Sequence, residues 1–165
     1  MISVVPYSRE LQDEVIELIL AIQQQEFGFD IQEADQPDLL EIESFYQAGA
    51  GGFWVALAEG KLVGTIGLRD IGEKRGALRK MFVKAAYRGP EFAVARTLLS
   101  TLVESARDRG IEQVYLGTTE KFLAAHRFYE KSGFDRVAES DLPLSFPRMA
   151  LDTRFYKLAL DTGRA

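Results

Sequence analysis

The sequence predicts a mixed α/β domain: a predominantly antiparallel central sheet flanked by helices, in the order β-α-α-β-β-β-α-β-α-β-β. Three observations carry this. In GGFWVALAEGKLVGTIGLRD (51–70) two apolar runs flank Glu59-Gly60, the pattern of a β-hairpin. Two later stretches, 92–109 and 122–132, repeat apolar residues at spacings of three and four, and each is followed by a glycine, Gly110 and Gly133. Short apolar strands separate and follow those helices, so strand and helix are interleaved along the chain.

The elements follow in order. ISVV (2–5) reads as the first strand, and Arg9 to Gln25 as a helix with Leu11, Val15, Leu18, Ile19 and Ile22 on one side. A second helix is expected from Pro37 or Asp38 to about Gln47, because proline suits a first helical turn. After the hairpin, GALRKMFV (76–83) is a third strand in succession. The helix over 92–109 sets Val94, Leu98 and Leu102 in one row with Ala95, Leu99 and Ala106 beside it. VYLGT (114–118) is a short buried strand. In FLAAHRFYEKSGF (122–134), Phe122, Ala125, Phe128 and Tyr129 form the inner stripe before Gly133 turns the chain. FDRV (134–137) and RFYKLAL (154–160) close the sheet.

At 165 residues, 47% of them hydrophobic, the chain suits one domain over 1–165, with no linker-like stretch. No basic segment followed by an apolar run opens it, and no apolar run approaches the roughly 18 residues of a membrane span. A soluble, cytoplasmic protein without a membrane partner is therefore expected. With no cysteine there is no disulfide, thiolate nucleophile or cysteine-held zinc. With one histidine, any imidazole metal site or serine triad would depend on His126 alone, and no metal is expected. The net charge of -5 and the lack of interleaved stacking aromatics disfavour nucleic acid.

Charge is unevenly spread. Lys74 to Arg96 holds seven basic residues and one acid, Glu91, whereas Glu26 to Glu43 holds seven acids and no base. If both border one cleft, the first suits an anionic ligand and the second attracts a cationic one.

From Leu78 to Val137 the strings MFV, YRG, LLSTLVESARDRG, VYLGTT and AAHRFYEKSGF closely resemble the GNAT superfamily of N-acetyltransferases, which move an acetyl group from acetyl-CoA to an amine. The element order extends the likeness over nearly the whole chain. The resemblance implies that Met81, Phe82 and Val83 offer main chain to the pantetheine arm. It implies that the turn and helix start from Lys84 to Ala95 wrap the pyrophosphate, with Lys84, Arg88, Gly89, Phe92, Ala93, Val94 and Ala95 in that site. A helix N-terminus suits phosphate through its unpaired N–H groups and dipole. The loop departs from the family pattern: RGPEFAVA has two extra residues after Gly89 and alanines at the small positions.

The same likeness makes Tyr129 the general acid that assists the departing CoA thiolate. His126, three residues earlier, is read as structural. Many relatives carry a glutamate where this chain has Ala77, leaving Glu26 and Glu120 as candidates for the general base. Phe27, Phe29, Thr118 and Phe146 are expected on the acceptor side, and the acids around the two phenylalanines favour a cationic amine, small-molecule or peptide. A homodimer is compatible with the sequence. Acetyl-CoA enters as the acyl-donor substrate. The competing readings are a transferase of another acyl-CoA and a catalytically silent CoA-binding module.

Overall fold

A computed structural model describes residues 1–161. One seven-stranded sheet runs in the order β1 (Ile2–Pro6), β2 (Gly52–Ala58), β3 (Lys61–Gly72), β4 (Arg75–Val83), β5 (Gln113–Thr118), β7 (Arg154–Ala159), β6 (Asp135–Val137). Each adjacent pair is antiparallel except β4 and β5. The expected fold class is therefore the observed one. Glu59 and Gly60, both at positive φ (52° and 82°), make the tight β2–β3 turn.

The helices are α1 (Gln12–Leu20), α2 (Ile42–Phe45), α3 (Val94–Asp108) and α4 (Leu123–Lys131). The first expected helix is a composite. A 3-10 turn over Arg9–Leu11 leads into α1, which widens into a π-helical turn at Ala21–Glu26. The second is broken: a 3-10 turn, Pro37–Leu40, is separated from α2 by Glu41 at non-helical φ −136°, ψ 40°. Leu39 and Ile42, on either side of this break, are both buried in the core. α3 begins two residues later than the periodicity suggests. Phe92 N–H donates to Gly89 O (3.1 Å), closing a turn through Pro90-Glu91, and Ala93 takes a left-handed φ of 51°.

α3 and α4 end identically. Ile111 N–H donates to Ala106 O (2.9 Å) and Gly110 N–H to Arg107 O (3.1 Å). Phe134 N–H donates to Tyr129 O (3.0 Å) and Gly133 N–H to Glu130 O (3.2 Å). Both are Schellman caps with the glycine left-handed, at φ 83° and 98°.

The sheet separates two cores. On one face, Leu98, Leu99 and Leu102 of α3 and Tyr129 of α4 pack over Ile66, Leu78 and Leu116. On the other, Val15 and Ile19 of α1 join Leu39, Ile42, Tyr46, Phe53 and Val55. A smaller cluster behind β4, β5 and β7 holds Ala77, Tyr115, Leu142, Phe146 and Phe155. β4 pairs with β5 only from Arg75 to Ala77, against Gln113 to Tyr115, and beyond that the strands diverge. A bulge adds to this: Thr65 opposes Phe82 and Gly67 opposes Arg79, so Ile66 faces two residues, Lys80 and Met81.

Candidate active site

Where β4 leaves β5, a groove of about 500 Å³ opens between the end of β4 and α4. Met81, Phe82 and Val83 line one side and Ala125, Phe128 and Tyr129 the other. Phe27, Arg88 and Ala95 also line it. The C-terminal cap of α4 ties down the Tyr129 carbonyl, and the Tyr129 ring packs edge-on against Phe134 at 5.5 Å. Its hydroxyl lies 3.6 Å from the Met81 sulfur, a weak acceptor. Burial pushes the phenol pKa well above its ordinary value, so at neutral pH this hydroxyl holds its proton and can donate.

The expected pyrophosphate segment divides. Arg88 Nε donates to Val83 O (2.8 Å), while its other two nitrogens fork onto Glu26 at 2.5 and 2.6 Å. Lys84 is exposed, and Val94 keeps its side chain in the core, leaving only main chain to a ligand. Phe92 packs on Tyr87 at 5.0 Å. The Glu91 carboxylate folds over Gly89 so closely that a Cβ there would lie 2.5 Å from it.

Of the two carboxylates considered as bases, Glu26 is engaged by Arg88, and Glu120 is exposed with Arg154 3.8 Å away. His126 is buried, and its Nε2 sits 2.8 Å from Thr119 O, in position to donate and fix the turn before α4. Ala77 is fully buried beside Tyr115 and Phe146, so a glutamate there would enter a dry cluster.

The residues expected on the acceptor side do not share one pocket. Phe27 and Phe29 stack at 6.0 Å and meet Phe122 at 4.6 and 5.7 Å, with the Lys121 ammonium 5.1 Å over Phe29. Phe146 is buried in the cluster behind β5. Thr118 ends β5, where its carbonyl accepts from Thr153 N–H (2.9 Å). The acid-rich segment is largely spoken for: Glu26 holds Arg88, Glu43 holds Arg9, Asp35 accepts from Gln32 N–H, and Asp38 is buried.

Sequence reasoning missed a polar cluster on the opposite face of β4. Lys80 is almost fully buried; it contacts Gln36 and lies 3.8 Å from Asp38. Asp38 accepts from the Tyr46 hydroxyl at 2.5 Å, and Gln36 exchanges hydrogen bonds with Gln23 at 2.8 and 3.1 Å. Desolvation lowers Lys80 to about 8, despite the opposing pull of Asp38. Arg79 reaches the Met149 sulfur at 3.7 Å, and the Arg69 guanidinium lies 3.9 Å over Phe45. Asp152, in the loop before β7, is pushed up to about 6 by burial, against the lowering influence of Arg79, Lys80 and a main-chain bond with Met149. The available signal was a pair of charges, Arg79-Lys80, inside an otherwise apolar strand.

The acetyltransferase (GNAT) family model matches residues 16–134. The chain belongs to the GNAT family.

An acetyltransferase of GNAT family from Staphylococcus aureus Mu50 is 40% identical and superposes with a TM-score of 0.93, over 98% of this chain and 100% of that one. An acetyltransferase from Streptococcus agalactiae 2603 is 32% identical, with a TM-score of 0.91 over 96% of this chain and 98% of that one. Among curated proteins, N-acetylaspartate synthetase of Danio rerio is 33% identical over 126 residues. That match takes in 73% of this chain and 44% of the relative, so the chain spans less than half the length of that relative. Among the described residues no helix is long and apolar enough to cross a membrane.

Proposed function

We propose that the chain is an acetyl-CoA-dependent N-acetyltransferase acting as a single domain over 1–165, with the amine attacking the thioester directly in a ternary complex. The observation that carries this is the apolar groove at the divergence of β4 and β5, with the protonated Tyr129 hydroxyl on its wall. A thioester arm laid along Met81–Val83 runs past the β4 bulge, where the main chain leaves its regular pairing and is free to polarise the carbonyl. As the C–N bond forms and the C–S bond breaks, Tyr129 gives its proton to the departing sulfur. The start of α3 and Arg88 take the pyrophosphate, with Arg88 exchanging Glu26 for phosphate oxygens.

The amine enters from the opposite face of the sheet, past Arg69, Arg79 and Lys80 rather than past free acids. This favours a small amine that also carries a carboxylate, and the N-acetylaspartate synthetase relatives suit the same class. The cationic acceptor retains one supporting feature, the Phe27–Phe29–Phe122 ring cluster, where Lys121 already occupies the cation position over Phe29.

The test is an amine panel containing L-aspartate, L-glutamate, spermidine and a lysine peptide, following CoA thiol release and product mass. Acetylated carboxylate-bearing amines are expected to dominate. CoA binding with no turnover on any amine would leave a silent CoA-binding module instead.

A further inference from the structure

β5 turns one face toward Tyr115 and the cluster behind the sheet, and two residues on that same face presents Gly117. The Asp152 carboxylate lies directly on this glycine: a Cβ there would be 2.5 Å from Oδ2 and 2.9 Å from Cγ. The strand therefore leaves room for the carboxylate by omitting a side chain. Gly117 lies past the last β4–β5 pair, so Asp152 sits beside the part of β5 that has left β4, on the face away from α4 and Tyr129. The loop bearing it is anchored on both sides, by Thr153 N–H to Thr118 O (2.9 Å) and Asp152 N–H to Met149 O (3.1 Å).

We propose that Asp152 is the general base that takes the proton from the acceptor ammonium, a role that rests on the acetyl-transfer reading above. The ammonium gives one proton to the carboxylate and becomes a neutral amine. The amine attacks the thioester carbon, Tyr129 gives its proton to the departing sulfur, and the second proton lost from nitrogen returns through solvent to the Tyr129 phenolate, restoring the phenol. Asp152 then returns its proton to solvent. The residue is suited to the task on two further counts. Among the described residues the charged groups acting on it are Arg79 and Lys80 of β4, while β5 offers only bare Gly117 and β7 the Phe155 ring. Desolvation outweighs both cations and brings its affinity for a proton close to neutral pH, where a base is most effective.

The experiment compares two carboxylate-bearing nucleophiles on wild type and Asp152→Asn: L-aspartate, whose nitrogen is an ammonium at neutral pH, and aminooxyacetate, whose nitrogen is already neutral there. The expected result is a loss of about 100-fold or more in kcat/KM for aspartate, little loss for aminooxyacetate, and removal of the acid limb near pH 6. Gly117→Ala, whose new Cβ displaces the carboxylate without deleting it, should reproduce the discrimination more weakly. Asp152→Glu checks that a carboxylate restores part of the rate, and CoA binding by calorimetry checks that each variant is folded. Equal losses on both nucleophiles, an unchanged pH profile, or a folded variant with wild-type turnover would overturn the role while leaving acetyl transfer standing. Failure of the wild type on every amine would remove both.

Discussion

The two faces of β4 solve opposite problems with adjacent residues. Toward α4, Met81 and its neighbours make a mostly apolar slot with a buried, protonated phenol on its wall and Arg88, Lys121 and Arg127 also lining it. Toward α1 and the loop before β7, Arg79 and Lys80 meet Asp38, Gln36 and Asp152, three of these five side chains being buried or nearly so. An apolar slot gains its stability from area removed from water and tolerates modest misfit. A buried polar cluster is stable only if every member is satisfied, and each lost partner leaves an uncompensated charge. On the proposed reading the first face takes the donor and the second the acceptor.

Lys80→Ala attacks the second face directly and should lower unfolding free energy by about 3 kcal/mol, because Asp38 stays buried without its cation. Urea denaturation measures this, and adding Asp38→Asn should recover part of it. A loss no larger than that of an exposed charge would mean the cluster is wet, and the contrast between faces would collapse.

Asp152 gives a stability test with a defined sign. Its folded carboxyl binds a proton up to about pH 6 and an unfolded one only to 3.8, so between those values the folded state holds more protons and stability falls as pH rises. Asp152→Asn lacks this loss. Relative to wild type it should gain about 2 kcal/mol on going from pH 4 to pH 7, read from paired denaturation curves.

On the first face, Tyr129→Phe should reduce turnover roughly 10- to 100-fold, with CoA affinity and the fold unchanged. Equal rates, with chemistry shown to be rate-limiting by single turnover, would make the tyrosine a packing residue. The Arg88–Glu26 pair sharpens the picture with two opposed effects. Arg88→Ala should weaken CoA binding by about 1 to 2 kcal/mol, and Glu26→Gln, which frees the guanidinium, should tighten it about twofold to fivefold. Calorimetry showing the two variants moving together would take Arg88 out of the phosphate site.

The sequence by itself determined the strand and helix order, the β2–β3 turn, both glycine-capped helices and the placement of Tyr129, because each rests on periodicity or on a residue required at a fixed offset. FYEKSGF is the clearest case: Gly133 and Phe134 close the cap on Tyr129 and pack against it, all within six residues. Only the tertiary structure decided the rest. Arg79 and Lys80 counted only as two members of a basic stretch until the bulge and the divergence of β4 from β5 turned Lys80 inward onto Asp38, 42 residues earlier. Glu26 read as a free base until it met Arg88, and Asp152 was one acid in a loop until Gly117 made space for it. A local pattern fixes a backbone through short-range sterics and hydrogen bonds. The ionisation and pairing of a side chain depend on neighbours brought from elsewhere in the chain and on the water they exclude.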